Sequence, residues 1–204
     1  MQLSKINWFG VAGGVLTLIV IVVSLYYPWW QLTIGENLMK VNASPVNTNF
    51  GLLGTQFTIP LIVALNIGSI LMFLTSGIIM LLYSVVPTKS YSKELLGFAY
   101  KKPLYSVVLC VIGLLVITLG AQAAVGINIP LTGTTTIILP SNFTMGINIS
   151  VLVSAAFQWP FWLAVAAAAL CITARIYHRK LASTPKQAPV ATATPTTQPA
   201  ATTA

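Results

Sequence analysis

Apolar residues collect into four long runs, about residues 7–27, 59–85, 104–126 and 151–177, and neither of the chain's two acidic residues lies in any of them. A helix rises about 1.5 Å per residue, so runs of about 20 residues or more cross a hydrocarbon core of about 30 Å. Each run is therefore expected to be a membrane-spanning helix. The intervening segments 28–58 and 127–150 show a different pattern. Trp29–Ile34 and Leu38–Val41 flank Gly35-Glu36-Asn37 and read as two strands joined by a tight turn. Phe50–Leu53 and Gln56–Ile59 suggest a second pair. Gly126–Ile129, Thr134–Leu139 and Gly146–Ile149 are β-branched stretches punctuated by Gly and Pro. The expected fold is an all-α membrane protein, a four-transmembrane-helix bundle with a small extracellular β-sheet cap built by the two outer loops. Residues 1–182 form this membrane domain. Residues 86–103 form an inner loop that reads as an amphipathic segment on an anionic surface. Residues 183–204 form a Thr-, Ala- and Pro-rich tail, expected to be disordered and cytosolic.

Composition agrees with this reading. Of 204 residues, 56% are hydrophobic and 6% charged, against about 25% charged in soluble domains. The net charge of +8 flanks the apolar runs rather than forming a nucleic-acid footprint, so nucleic acid is not an expected partner. With the N-terminus inside, Lys5, Lys89, Lys93, Lys101, Lys102, Arg175, Arg179, Lys180 and Lys186 fall on the inner side, and only Lys40 falls outside. This bias predicts cytoplasmic N- and C-termini in a plasma-membrane protein. The first run ends in Tyr26-Tyr27-Pro28-Trp29-Trp30 rather than a small-residue cleavage site, so it reads as a retained anchor. The sequons at Asn42, Asn142 and Asn148 all lie in the expected outer loops and make them possible glycosylation sites. With no outer cysteine and Ile- and Val-rich spans, the pattern suits an archaeal membrane.

The spans are poor in reactive chemistry. The acidic residues are Glu36 and Glu94, and the single histidine, His178, lies at the inner boundary. No haem-ligand pair, proton-relay carboxylate, metal cluster, phosphate cradle or nucleophile motif is visible. Catalysis and resident cofactors are therefore not expected. Asn66, Gln122 and Gln158 have similar expected depths, and two readings apply to them: interhelical hydrogen bonds, or a polar groove for a quinone, lipid or small solute. Cys110 and Cys171 read as packing thiols, with a buried pair as the alternative. Gly10 and Gly14 mark close helix packing, inside the chain or against a partner.

Four spans with both termini inside, a long first outer loop, and Trp30 followed at similar spacing by Gly51-Leu52-Leu53 resemble the claudin and peripheral-myelin-protein superfamily. In that superfamily the first outer loop opens on Trp and later carries Gly-Leu-Trp and two cysteines. Here Leu53 replaces the second Trp and the cysteines are absent. The resemblance covers topology over residues 7–177 and motif identity at three positions. It implies a left-handed bundle, an extracellular sheet and an adhesion or partner-binding role.

These readings converge on a non-catalytic tetraspan adhesion or scaffold protein. Its expected interaction surface is Trp29, Trp30, Phe50, Leu52, Leu53, Ile137 and Ile138. Its expected partners are the lipid bilayer and other membrane or cell-surface subunits, or a second copy of itself. The alternative is an accessory subunit of a larger membrane complex, such as a respiratory or monooxygenase assembly. A small-solute or lipid carrier is a third reading.

Overall fold

A computed structural model describes residues 6–35, 38–52, 55–57, 60–87, 89–125, 128–138 and 150–183. Four helices in it are long and apolar enough to cross a membrane: α1 (Trp8–Tyr26), α2 (Pro60–Val85), α4 (Lys101–Val125) and α5 (Trp159–Ser183). Large apolar side chains such as Val22, Leu65, Leu109, Val116 and Trp162 are exposed along them, as lipid-facing positions require. This is a multi-pass membrane protein. A shorter helix, α3 (Ser92–Ala99), lies between α2 and α4.

The start and end of α1 follow from its sequence. Asn7 caps it, its side chain accepting the Gly10 N–H at 3.2 Å and so satisfying one orphan donor of the first turn. Pro28 follows the extended C-cap Tyr27 and blocks continuation. Close approach then depends on missing side chains. A Cβ on Gly14 would lie 2.9 Å from the Leu81 side chain and 3.1 Å from the Gly77 carbonyl oxygen. One on Gly13 would lie 3.1 Å from the Cys171 backbone nitrogen. Gly10 faces Ser84. The glycines expected at a helix contact are therefore engaged inside the chain, with Gly10 and Gly14 against α2 and Gly13 against α5.

Six strands form one antiparallel sheet: β1 (Trp30–Ile34), β2 (Met39–Ala43), β3 (Asn49–Leu52), β4 (Thr55–Phe57), β5 (Gly133–Ile138) and β6 (Ser150–Phe157), in the order β4-β3-β2-β1-β6-β5. The two loop regions thus meet at the β1–β6 pairing, from Trp30↔Phe157 to Ile34↔Val153. β6 corrects the sequence reading, which placed residues 151–157 in the fourth span. That helix starts at Trp159. Val151, Val153 and Ala155 are buried while Leu152 and Ala156 are exposed, the period-two alternation of a strand. Because several of the outward positions are also apolar, the segment reads as a continuous hydrophobic run, which does not separate strand from helix. Pro160 then supplies the fixed φ of a first helical turn.

One sheet face packs through Trp30, Leu32, Val41, Ala43, Ile137, Val151, Val153 and Ala155 against Leu114 of α4. The opposite face carries a polar row across all six strands: Gln56, Gly51, Lys40, Thr33, Ser154 and Thr134. At the other end of the bundle, α3 does more than lie on a surface. Leu96 and Ala99 are fully buried with Met80, Tyr83, Cys171 and Ala174, while Lys93, Glu94 and Phe98 stay exposed.

Candidate functional site

Two buried knots hold the helices, one at each end. At the first, the Asn7 side chain donates to Tyr83 Oη at 2.9 Å and to the Ala174 carbonyl at 3.1 Å, and the Asn7 backbone N–H donates to the Ser84 carbonyl. One fully buried amide therefore joins α1, α2 and α5. At the second, Trp29 is wholly buried. Its indole N–H donates to Ser24 Oγ at 2.7 Å, its backbone N–H donates to the Ala43 carbonyl, and its carbonyl accepts from Gln158. Its ring meets Phe73 and Phe161 edge-on at 6.2 and 6.1 Å. Trp30 donates its indole N–H to the Leu131 carbonyl at 2.8 Å.

These contacts revise the expected interaction surface. Trp29, Trp30 and Ile137 are internal, because each indole N–H needs a partner and both rings fill the junction between sheet and helices. Ile138 is exposed. Phe50 and Leu52 lie on β3, but their side chains, and all of Leu53, are outside the described residues. Of the sequons, Asn42 lies on β2, its Oδ1 accepting from Gln31 at 2.9 Å. Asn142 and Asn148 are outside the described residues.

The expected amide cluster does not assemble. Gln122 is exposed near the end of α4, and Gln158 lies just before α5, tied to Trp29 through its backbone. The physical reason is the late start of α5, which leaves Gln158 outside the helix instead of two turns inside it. The two cysteines are free and face different neighbours: Cys171 meets Thr17 of α1, with Sγ 3.9 Å from Oγ1, while Cys110 points to a groove.

That groove is the candidate site. The helix pairs α1–α2, α1–α5 and α4–α5 pack closely, whereas α2 and α4 scarcely touch. The bundle is an open ring with its seam between these two helices. The seam holds a cavity of about 380 Å³, walled by Leu65, Asn66, Ser69 and Met72 of α2 and by Tyr105, Ser106, Leu109, Cys110, Gly113, Leu114 and Ile117 of α4. Ala43, Ser44, Pro45 and Thr48 form its roof. The roof is rigid. Ser44 Oγ donates to the Asn47 carbonyl at 2.8 Å and accepts the Asn47 N–H, and Thr48 Oγ1 donates to the Ser44 carbonyl.

The polar side chains on the two walls are those of Asn66, Ser69 and Ser106. A Cβ on Gly113 would meet nothing within 4 Å. The site therefore offers hydroxyls, a thiol, one carboxamide and open backbone in an apolar cleft, with no carboxylate or cationic side chain in its lining. Such a surface can bind and orient. The described residues contain no group of three or more metal-ligating side chains.

Several of these residues lay outside the expectations from sequence. Asn7 was legible as an Asn directly before an apolar run, the usual cap signal. Ser24, Ser44, Ser69 and Ser106 carry no such signal, because their roles depend on which helix or loop lies opposite. Compared with known proteins, the chain matches no family profile and no curated sequence.

Proposed function

We propose that this protein is a non-catalytic membrane interaction protein of the tetraspan scaffold type, and that the α2–α4 seam receives a transmembrane helix of a partner subunit or of a second copy. One observation carries the reading: among the described residues, α2 and α4 leave an open junction, and its walls carry the polar side chains of Asn66, Ser69 and Ser106. At the closed junctions, small residues bring backbones together, as Gly14 with Gly77 and Gly13 with Cys171 do. Ser106, Cys110 and Gly113 place small residues at helical spacing on α4, held apart from α2 by the cavity. In hydrocarbon, small residues and interhelical hydrogen bonds are the main basis of helix association, and an unpaired amide there costs several kcal/mol.

The sheet supports the same reading. Both loop regions join one sheet, as the resemblance to the claudin and peripheral-myelin-protein superfamily implies, and its outward polar row offers hydrogen-bonding groups to a second contact. Orientation with both termini in the cytoplasm and the sheet outside rests on the distribution of cationic residues.

The accessory-subunit reading uses the same seam and differs only in the partner. Affinity purification in mild detergent, with the parent chain and Gly113→Leu side by side, tests both. A defined partner or a dimer should accompany the parent and be lost from the variant, while the variant remains folded. A complex retained undiminished by Gly113→Leu would refute the seam as its contact.

A further inference from the structure

The end of the bundle opposite the sheet holds a cluster of cations that the seam does not involve. Arg175 of α5 places its guanidinium 5.5 Å from the centroid of the Tyr100 ring, and Lys101 approaches the same ring at 5.7 Å. One turn further along α5, the His178 ring meets Tyr83 edge-on at 5.4 Å. The helix that carries Lys93, α3, packs Leu96 against Tyr83 of α2 and Ala174 of α5. Three elements, α2, α3 and α5, thus converge here, with Tyr83 and Tyr100 between them.

Two polar atoms there are unsatisfied. Arg175 Nε and His178 Nδ1 are both shielded from solvent and have no hydrogen-bond partner among the described residues. A buried guanidinium N–H without an acceptor is unfavourable, and its planar donor fork matches the oxygens of a phosphate group. The protein provides little to fill that role. Among the described residues the acidic side chain is that of Glu94, exposed in the first turn of α3. On the same helices, Leu82 and Val85 of α2 and Ile176 of α5 are exposed apolar surface, where acyl chains would lie.

We propose that Arg175, His178 and Lys93, converging beside Tyr83 and Tyr100, bind the phosphate headgroup of an anionic phospholipid. The headgroup phosphate accepts from the partly exposed guanidinium of Arg175 and neutralises the cluster, and the acyl chains lie along α2 and α5. Basic pockets between helices at a membrane surface are suited to such headgroups. The recognising chemistry is phosphate, so free inorganic phosphate is the competing source.

Native mass spectrometry and thermal unfolding of the purified full chain distinguish the outcomes, with dioleoyl phosphatidylglycerol, dioleoyl phosphatidylcholine and inorganic phosphate as separate additions. The expected result is retained and stabilising phosphatidylglycerol, no comparable effect of phosphatidylcholine, and little effect of phosphate alone. Arg175→Gln and Lys93→Gln should each weaken phosphatidylglycerol binding by roughly fivefold or more, and Lys40→Gln, on the sheet, should not. Because Lys93 is exposed on α3, its variant tests the site even if Arg175→Gln fails to fold. Equal binding of both lipids, or undiminished binding by Lys93→Gln and any folded Arg175→Gln, would overturn the proposal. Stabilisation by phosphate alone that matches the lipid would overturn the lipid as occupant.

Discussion

Replacing Asn7 by alanine tests how this bundle is closed. The side chain accepts the Gly10 N–H at the start of α1 and donates to Tyr83 Oη and to the Ala174 carbonyl. Removing a side-chain cap costs about 1 kcal/mol. Each interhelical hydrogen bond within a membrane contributes about 0.6 kcal/mol. The summed loss for Asn7→Ala is then about 2 kcal/mol. Asn7→Ser keeps a capping oxygen but cannot span both α2 and α5, so it should lose about half as much. Unfolding in mixed detergent and dodecyl sulfate, followed by circular dichroism, measures both. In heat denaturation the alanine variant should unfold about 4–8 °C lower, at about 2–4 °C per kcal/mol for a chain of this size. A double-mutant cycle with Tyr83→Phe should return a coupling near 0.6 kcal/mol. An alanine variant within about 0.5 kcal/mol of the parent, or serine and alanine variants of equal stability, would refute the claim that one amide ties three helices.

Other junctions give equally specific expectations. Trp29→Ala should destabilise by about 3–5 kcal/mol, while Trp29→Phe, which loses the bond to Ser24 but keeps a ring against Phe73 and Phe161, should lose less; the same unfolding assay ranks them. Gly14→Leu should cost about 1–3 kcal/mol or prevent assembly, since its Cβ already meets Leu81 and the Gly77 carbonyl. Gly68→Ala, where nothing lies within 4 Å, should be neutral or gain up to about 1 kcal/mol in helix propensity. Alkylation with N-ethylmaleimide in mild detergent should modify Cys110, which opens to the seam, and spare the fully buried Cys171 until the chain unfolds; intact-mass measurement counts the adducts.

The spans were legible because the lipid requirement is simple: length, low charge and flanking cations. The β1–β2 hairpin was legible from its alternation around Gly35, whose φ of +50° places it in the left-handed region. β6 was not, because a strand buried on one face and apolar on much of the other carries the same composition as a membrane helix. That one misassignment displaced Gln158 by two turns and produced an amide cluster that does not form. Trp29 and Trp30 were expected on the surface and lie inside, between the sheet and the helices. A tryptophan at a loop boundary serves contact or core depending on whether an acceptor is within reach, and Ser24 and Leu131 supply those acceptors only in three dimensions. The seam was invisible for the same reason: sequence shows small residues on α4 but not which helix fails to arrive opposite them.

Photo-cross-linking in native membranes tests the seam most directly. Benzoylphenylalanine placed at Leu109, in the wall of the cavity, should give a discrete protein adduct of defined mass, and the same probe at Val22, on the exposed face of α1, should give lipid adducts only. If Leu109 and Val22 behave alike, with no protein adduct at either, the open seam is a lipid-filled surface and not the contact face of a membrane assembly.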